Sequence, residues 1–149
     1  SYYEMDICPG FWDFLDQQNR ANNVCSNRMV YDEISTDKGD LGKWVKKRKT
    51  KGFFPSEHDA NIQKIFSQIA TYVHSQYNST PVNEFLSGAD PWIIAMALAL
   101  RYTVVTFEVR DMHSNRDRKI KIPNVCIQFG IPYINTFEML RKLGIKLII

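Results

Sequence analysis

Apolar residues recur every three or four positions through the first two thirds of the chain, and in short continuous runs through the last third. The first pattern predicts helices. Phe11, Trp12, Phe14, Leu15 and Gln18 mark one over Phe11 to Asn22, after the Pro9-Gly10 pair. Met29, Val30, Glu33 and Ile34 share one stripe of a second, over Asn27 to Ser35, with Asp32 facing away. Asp40 is the expected N-cap of a short basic helix, Leu41 to Lys49, that Gly52 and Pro55 terminate. Ile62, Ile65, Phe66, Ile69, Tyr72 and Val73 keep the clearest helical spacing, up to Tyr77. Ser56 is the expected cap of that helix, with Asp59 at the acidic capping-box position. Asn78-Ser79-Thr80-Pro81 is read as a turn before a short helix around Val82 to Leu86. Pro91 is the expected first residue of the next helix, with Asp90 as its N-cap, running to about Arg101.

The second pattern predicts strands. Tyr102 to Val109 is β-branched and aromatic and apolar on both faces until its end, as expected of a buried parallel strand. A polar loop, 110–118, follows. Lys119 to Ile122 is a short strand candidate, Val125 to Phe129 a helix, and Ile131 to Ile134 another strand candidate. Asn135 or Thr136 caps a helix ending at Gly144, and Ile145 to Ile149 is a final apolar strand. Helices alternating with short strands predict an α/β fold with a three-layer arrangement, and 149 residues without a linker or repeat predict one domain, 1–149.

Composition narrows the function classes. The hydrophobic share of 44% and charged share of 23% suit a globular protein. The longest apolar stretch, Trp92 to Leu100, is too short for a bilayer span, and Tyr2, Glu4 and Asp6 interrupt any signal-peptide pattern, so a cytoplasmic protein away from membranes is expected. Cys8, Cys25 and Cys126 are odd in number and widely spaced, and His58, His74 and His113 show no ligand spacing; free thiols are expected rather than a disulfide framework or a zinc site. P-loop, G-x-G-x-x-G, G-x-S-x-G and H-E-x-x-H motifs are absent, which counts against a small-molecule α/β enzyme. The net charge is only +3. The basic residues nevertheless cluster, in a run containing Lys43, Lys46, Lys47, Arg48, Lys49 and Lys51 and in another containing Arg110, Arg116, Arg118, Lys119 and Lys121. Such runs attract a phosphate backbone or form solvated faces.

Three acids stand where solvation alone explains them poorly. Glu33 is on a predicted core-facing stripe, where a carboxylate must be paired, protonated or cation-bound. Asp90 opens a helix, and a capping role worth ~1 kcal/mol is its bland explanation. Glu108 shares a strand face with Val104 and Thr106 and lies at the carboxyl end of that strand, the edge where open α/β sheets hold ligands. Gathered together, such acids need a cation, and Mg²⁺ or Mn²⁺ suits an all-oxygen site.

In order and spacing, three segments resemble the second, third and fourth acidic motifs of PIN domains: Val30-Tyr31-Asp32-Glu33-Ile34, Ser87-Gly88-Ala89-Asp90-Pro91-Trp92-Ile93-Ile94-Ala95 and Val104-Val105-Thr106-Phe107-Glu108. The segments Asp6-Ile7-Cys8-Pro9-Gly10-Phe11-Trp12, Lys121-Ile122-Pro123-Asn124-Val125-Cys126, Phe129-Gly130-Ile131-Pro132 and Asn135-Thr136-Phe137-Glu138-Met139-Leu140 resemble one bacterial branch of that family. The resemblance implies a Rossmann-like three-layer sandwich, a mainly parallel central sheet flanked by helices, and Mg²⁺- or Mn²⁺-dependent cleavage of RNA. It implies metal-site roles for Glu33, Asp90 and Glu108, a supporting hydroxyl in Thr106, and an added acid in Asp111. Many members are VapC-type toxins with an antitoxin partner, and dimers are common among them. The family's first strand and first acid have no counterpart before the first helix here; a fragment of a longer protein, binding metal poorly by itself, is the expectation. The alternative is a non-catalytic PIN-like module that docks RNA or protein.

Overall fold

The computed structural model describes residues 9–49, 52–56 and 58–144. The chain divides into two compact units, Ser1–Glu57 and His58–Ile149, each with its own apolar cluster.

The first unit contains three short helices: α1 (Pro9–Arg20), α2 (Arg28–Ile34) and α3 (Asp40–Lys46). Tyr31, Val45, Phe53 and Phe54 form its buried centre, with Leu15, Val30, Ile34 and Trp44 packed around them. Rings supply most of this small core. Trp12 meets Trp44 edge-on at 5.1 Å, Trp44 meets Phe53 at 5.4 Å, and Tyr31 meets Phe54 at 5.5 Å between centroids. Arg48 ties α1 to the end of α3 through a bidentate pair with Asp16, and its guanidinium lies 3.9 Å from the centre of the Trp44 ring. Asn27, fully buried, caps α2 by accepting the Val30 N–H at 2.9 Å.

In the second unit, α4 (Ala60–Gln76) lies along α6 (Asp90–Leu100), with α5 (Ser79–Ser87) between them in the chain. Ile62, Ile65, Ile69 and Val73 are the buried stripe of α4, at the predicted spacing. Phe66 stacks on Trp92 with centroids 4.0 Å apart. Helix α6 has apolar residues around most of its circumference and is the most buried helix of the unit. It ends at Arg101, whose φ of 59° turns the chain sharply toward β1 (Val104–Val105). Helix α7 (Ile122–Gln128) then connects β1 to β2 (Tyr133–Ile134), and α8 (Thr136–Lys142) follows. The two strands pair in parallel, Val104 opposite Tyr133 and Val105 opposite Ile134, as a crossover through a helix requires. The observed fold is therefore mixed α/β and mostly helical, with a small parallel sheet.

Several sequence expectations change. Asp59, not Ser56, caps α4, accepting the Asn61 N–H at 2.8 Å and the Ile62 N–H at 3.2 Å. Gly39 precedes α3, leaving Asp40 in its first turn, and the helix ends at Lys46 instead of Lys49. Helix α5 starts at Ser79, three residues early, because Pro81 is tolerated in a first turn where its missing N–H has no intrahelical role. Lys119 to Lys121 is extended but joins no sheet. The largest difference concerns Tyr102 to Val109. Only Val104–Val105 pairs, and the face carrying Val105, Phe107 and Val109 is exposed, at 42%, 43% and 78%. The strand is thus buried on one face, not two. The predicted strand Ile145 to Ile149 lies outside the described residues.

Candidate functional site in the second unit

Asp90 and Glu108 belong to the second unit and Glu33 to the first. In α2 the inward positions are Val30, Tyr31 and Ile34, following buried Asn27. Glu33 and Asp32 are both exposed. The predicted inward stripe through Glu33 is corrected by about one residue of helical rotation, because the Tyr31 ring fills the core against Phe54.

Asp90 is the first residue of α6, not its cap. Ala89 occupies the capping position and no side chain makes a capping bond there. The structural explanation available from sequence is therefore withdrawn for this carboxylate. It is half-buried, and burial pushes its pKa above the ordinary range, while nearby Lys119 pulls it part of the way back.

Glu108 lies three residues beyond β1, on the face shared with buried Val104 and half-buried Thr106. The Thr106 N–H donates to the Ile134 carbonyl at 2.9 Å, extending the strand pairing by one bond. Its hydroxyl accepts the Glu108 N–H at 3.1 Å, so Thr106 fixes the backbone that carries the acid. The Glu108 Oε2 atom is shut away from solvent and has no hydrogen-bond partner. Its nearest cation is the Lys121 ammonium at 3.8 Å, too far for a hydrogen bond.

Asp111 is committed elsewhere. One carboxylate oxygen accepts the His113 N–H at 3.0 Å and the other accepts Arg118 Nε at 2.6 Å. Those two bonds, Arg118 first, hold its pKa below the usual carboxylate range. Asn78 reinforces the same loop by donating to Asp117 at 2.6 Å, and Arg116 donates to the Ser75 carbonyl at 3.1 Å. The polar stretch 110–118 is thus pinned to the α4–α5 junction. Sequence reasoning marked its arginines only as basic residues; bonds across about forty residues leave no local signal.

The thiols take no part in this constellation. Cys126 is buried, which pushes its pKa up to about 12, and burial raises Cys25 as well.

Among the described residues, no three or more His, Cys, Asp or Glu side chains form a group able to hold one metal ion. Two carboxylates are nonetheless an ordinary protein contribution for Mg²⁺, which retains several waters and takes further oxygens from a phosphate. The buried, unbonded Glu108 Oε2 is the atom that most favours a cation here.

Comparison with protein families places the chain in one of them: it belongs to the family described as a domain of unknown function, DUF4411, whose model matches residues 1–147. No curated protein and no solved structure matches the chain. Among the described residues, no helix is long and apolar enough to cross a membrane.

Proposed function

We propose that this chain is a metal-dependent endoribonuclease of the PIN type, with Asp90 and Glu108 as metal-site acids and Glu33 as a third. The observation that carries the reading is the Glu108 carboxylate oxygen, buried, without a hydrogen bond and at the carboxyl end of β1. A desolvated anion in that condition is costly unless a cation joins it. The parallel β1–β2 pair, joined through α7, is consistent with the sheet of a three-layer PIN-like sandwich. A bound Mg²⁺ or Mn²⁺ supplies an activated water and neutralises charge on a phosphodiester. Asp90 and Glu108 hold that ion, Thr106 keeps Glu108 in place, and the basic runs offset the acids' repulsion of RNA. The same reading makes the chain cytoplasmic and leaves room for an antitoxin partner and for a homodimer, as among VapC-type toxins.

One observation favours the alternative, a non-catalytic module that binds RNA or protein. Lysines already stand beside both acids, Lys119 near Asp90 and Lys121 near Glu108, so the protein offsets part of this charge itself. Cleavage of an RNA panel with and without Mg²⁺ or Mn²⁺, alongside Asp90→Ala, separates the two. The nuclease reading expects metal-dependent cleavage that the variant loses. Absence of metal-dependent cleavage, or equal cleavage by the variant, rejects it.

A further inference from the structure

Lys119, Ile120 and Lys121 form an extended segment immediately before α7, where Lys121 has φ −96° and ψ 140°. Successive side chains of an extended chain alternate in direction. Ile120 is 1% exposed and anchors the segment in the core of the second unit. The two lysines therefore project together on the opposite side, Lys119 exposed and Lys121 half-buried. Both ends of the segment are held. On one side Arg118 is bonded to Asp111; on the other the Lys121 carbonyl accepts the Asn124 N–H at 3.1 Å.

This row passes both acids of the candidate site. Its Lys121 ammonium is at an ion-pair distance from Glu108, yet too far to satisfy the buried oxygen by a hydrogen bond. Lys119 stands near Asp90. Each lysine thus offsets an acid without making a short contact, which is the arrangement of a loosely held counter-ion. A divalent cation taken up by the acids would leave these ammonium groups repelled from their present positions and without a carboxylate of their own.

We propose that Lys119 and Lys121 are the phosphate-binding residues for single-stranded RNA, and that they exchange the carboxylates of Asp90 and Glu108 for RNA phosphates when a divalent cation binds. The proposal rests on the metal-site reading above and adds to it the substrate contact and its coupling to metal. Metal and RNA then strengthen each other's binding, and by linkage the coupling is reciprocal. Negative phosphates replace negative carboxylates as partners of the same two lysines, so the polyanion approaches an acidic site without net repulsion.

The test is the affinity of the full chain for a short, labelled single-stranded RNA of mixed sequence. It is measured by fluorescence anisotropy over a range of salt, in EDTA and in Mg²⁺, with intact RNA confirmed after each titration. The native chain is expected to bind more tightly in Mg²⁺. Lys119→Gln combined with Lys121→Gln is expected to weaken binding in Mg²⁺ by on the order of 10–30-fold at about 0.1 M salt. The salt slope should fall by roughly 1.4, about 0.7 for each lost phosphate contact on a single strand. The Mg²⁺-dependent gain should largely disappear, whereas Lys121→Arg retains it and Lys64→Gln, an exposed change on α4, leaves every quantity unchanged. Should the double variant match the native affinity and slope, the lysine assignment is overturned while the nuclease reading stands. A native affinity indifferent to Mg²⁺ overturns the exchange. Failure of the native chain to bind RNA at all overturns both. Lys119→Gln alone, at an exposed position, gives the same decision at half the change in slope if the double variant does not fold.

Discussion

Asn124 holds Asp111 by both of its backbone groups: Oδ1 accepts the Asp111 N–H at 2.9 Å and Nδ2 donates to the Asp111 carbonyl at 2.8 Å. The pairing imitates one rung of a strand ladder with a side chain. It attaches the loop 110–118 to α7 just where the chain leaves Glu108 and Val109. Removing it should leave two partly buried backbone groups without partners. Asn124→Ala is expected to lower unfolding stability by roughly 1–3 kcal/mol, read as a shift in urea midpoint at unchanged slope. Asn124→Asp, which keeps the acceptor and loses the donor, should fall between it and the native protein.

The carboxylate of Asp111 gives the loop a pH signature. Its folded pKa is depressed, first by the bond from Arg118 and then by that from the His113 N–H. The contribution is therefore complete above the unfolded value of about 3.9 and is lost as pH falls through the lower folded value. Asp111→Asn should show a constant deficit in urea midpoint at neutral pH. That deficit should shrink toward zero only in acid below the ordinary carboxylate range. A deficit that instead grew on acidification would contradict the assigned pairing.

Asp90 carries the opposite sign. Burial raises its folded pKa, so the fold favours the protonated form and loses stability as pH rises through that value. Asp90→Asn should raise the melting temperature at neutral pH while removing metal-dependent cleavage. In the native chain Mg²⁺ or Mn²⁺ should raise the melting temperature, because a ligand bound only by the folded state stabilises it. The variant should lose most of that rise. A thermal shift series in EDTA and in each metal reads both effects.

Gly42 is required by close approach, not by backbone conformation. A Cβ built there would lie 1.9 Å from the Asp37 carbonyl oxygen, a backbone atom that cannot rotate away. Gly42→Ala should force α3 off the preceding turn and cost roughly 1–3 kcal/mol. Intrinsic helix propensity predicts a gain for the same change. The sign of the midpoint shift therefore tells directly whether packing or propensity dominates.

Local periodicity and local capping chemistry were legible from the residues alone. The three-and-four spacing of Ile62, Ile65, Ile69 and Val73 determines a helical face whatever surrounds it. Asn135 and Glu138 form a capping box whose partners lie three residues apart. The run ending at Ile134 is strand-like for the same local reason, and it does pair with β1. Even so, local rules competed for α4: Ser56 and Asp59 are both good caps, and only the backbone path decides that Asp59 reaches Asn61 and Ile62.

Tertiary structure decided the rest, because the forces involved act between residues distant in the chain. Whether Glu33 or Tyr31 faces inward depends on Phe54, some twenty residues away, offering a ring for Tyr31 to meet. Whether the Val105, Phe107 and Val109 face is covered depends on which elements pack on it, and alternation along a strand is silent about that. The local environment of Glu108 likewise required the fold to bring Lys121 near its carboxylate while leaving one oxygen without a hydrogen bond. Sequence by itself determined the elements and nominated the acids; burial and long-range pairing determined how each acid's charge is met.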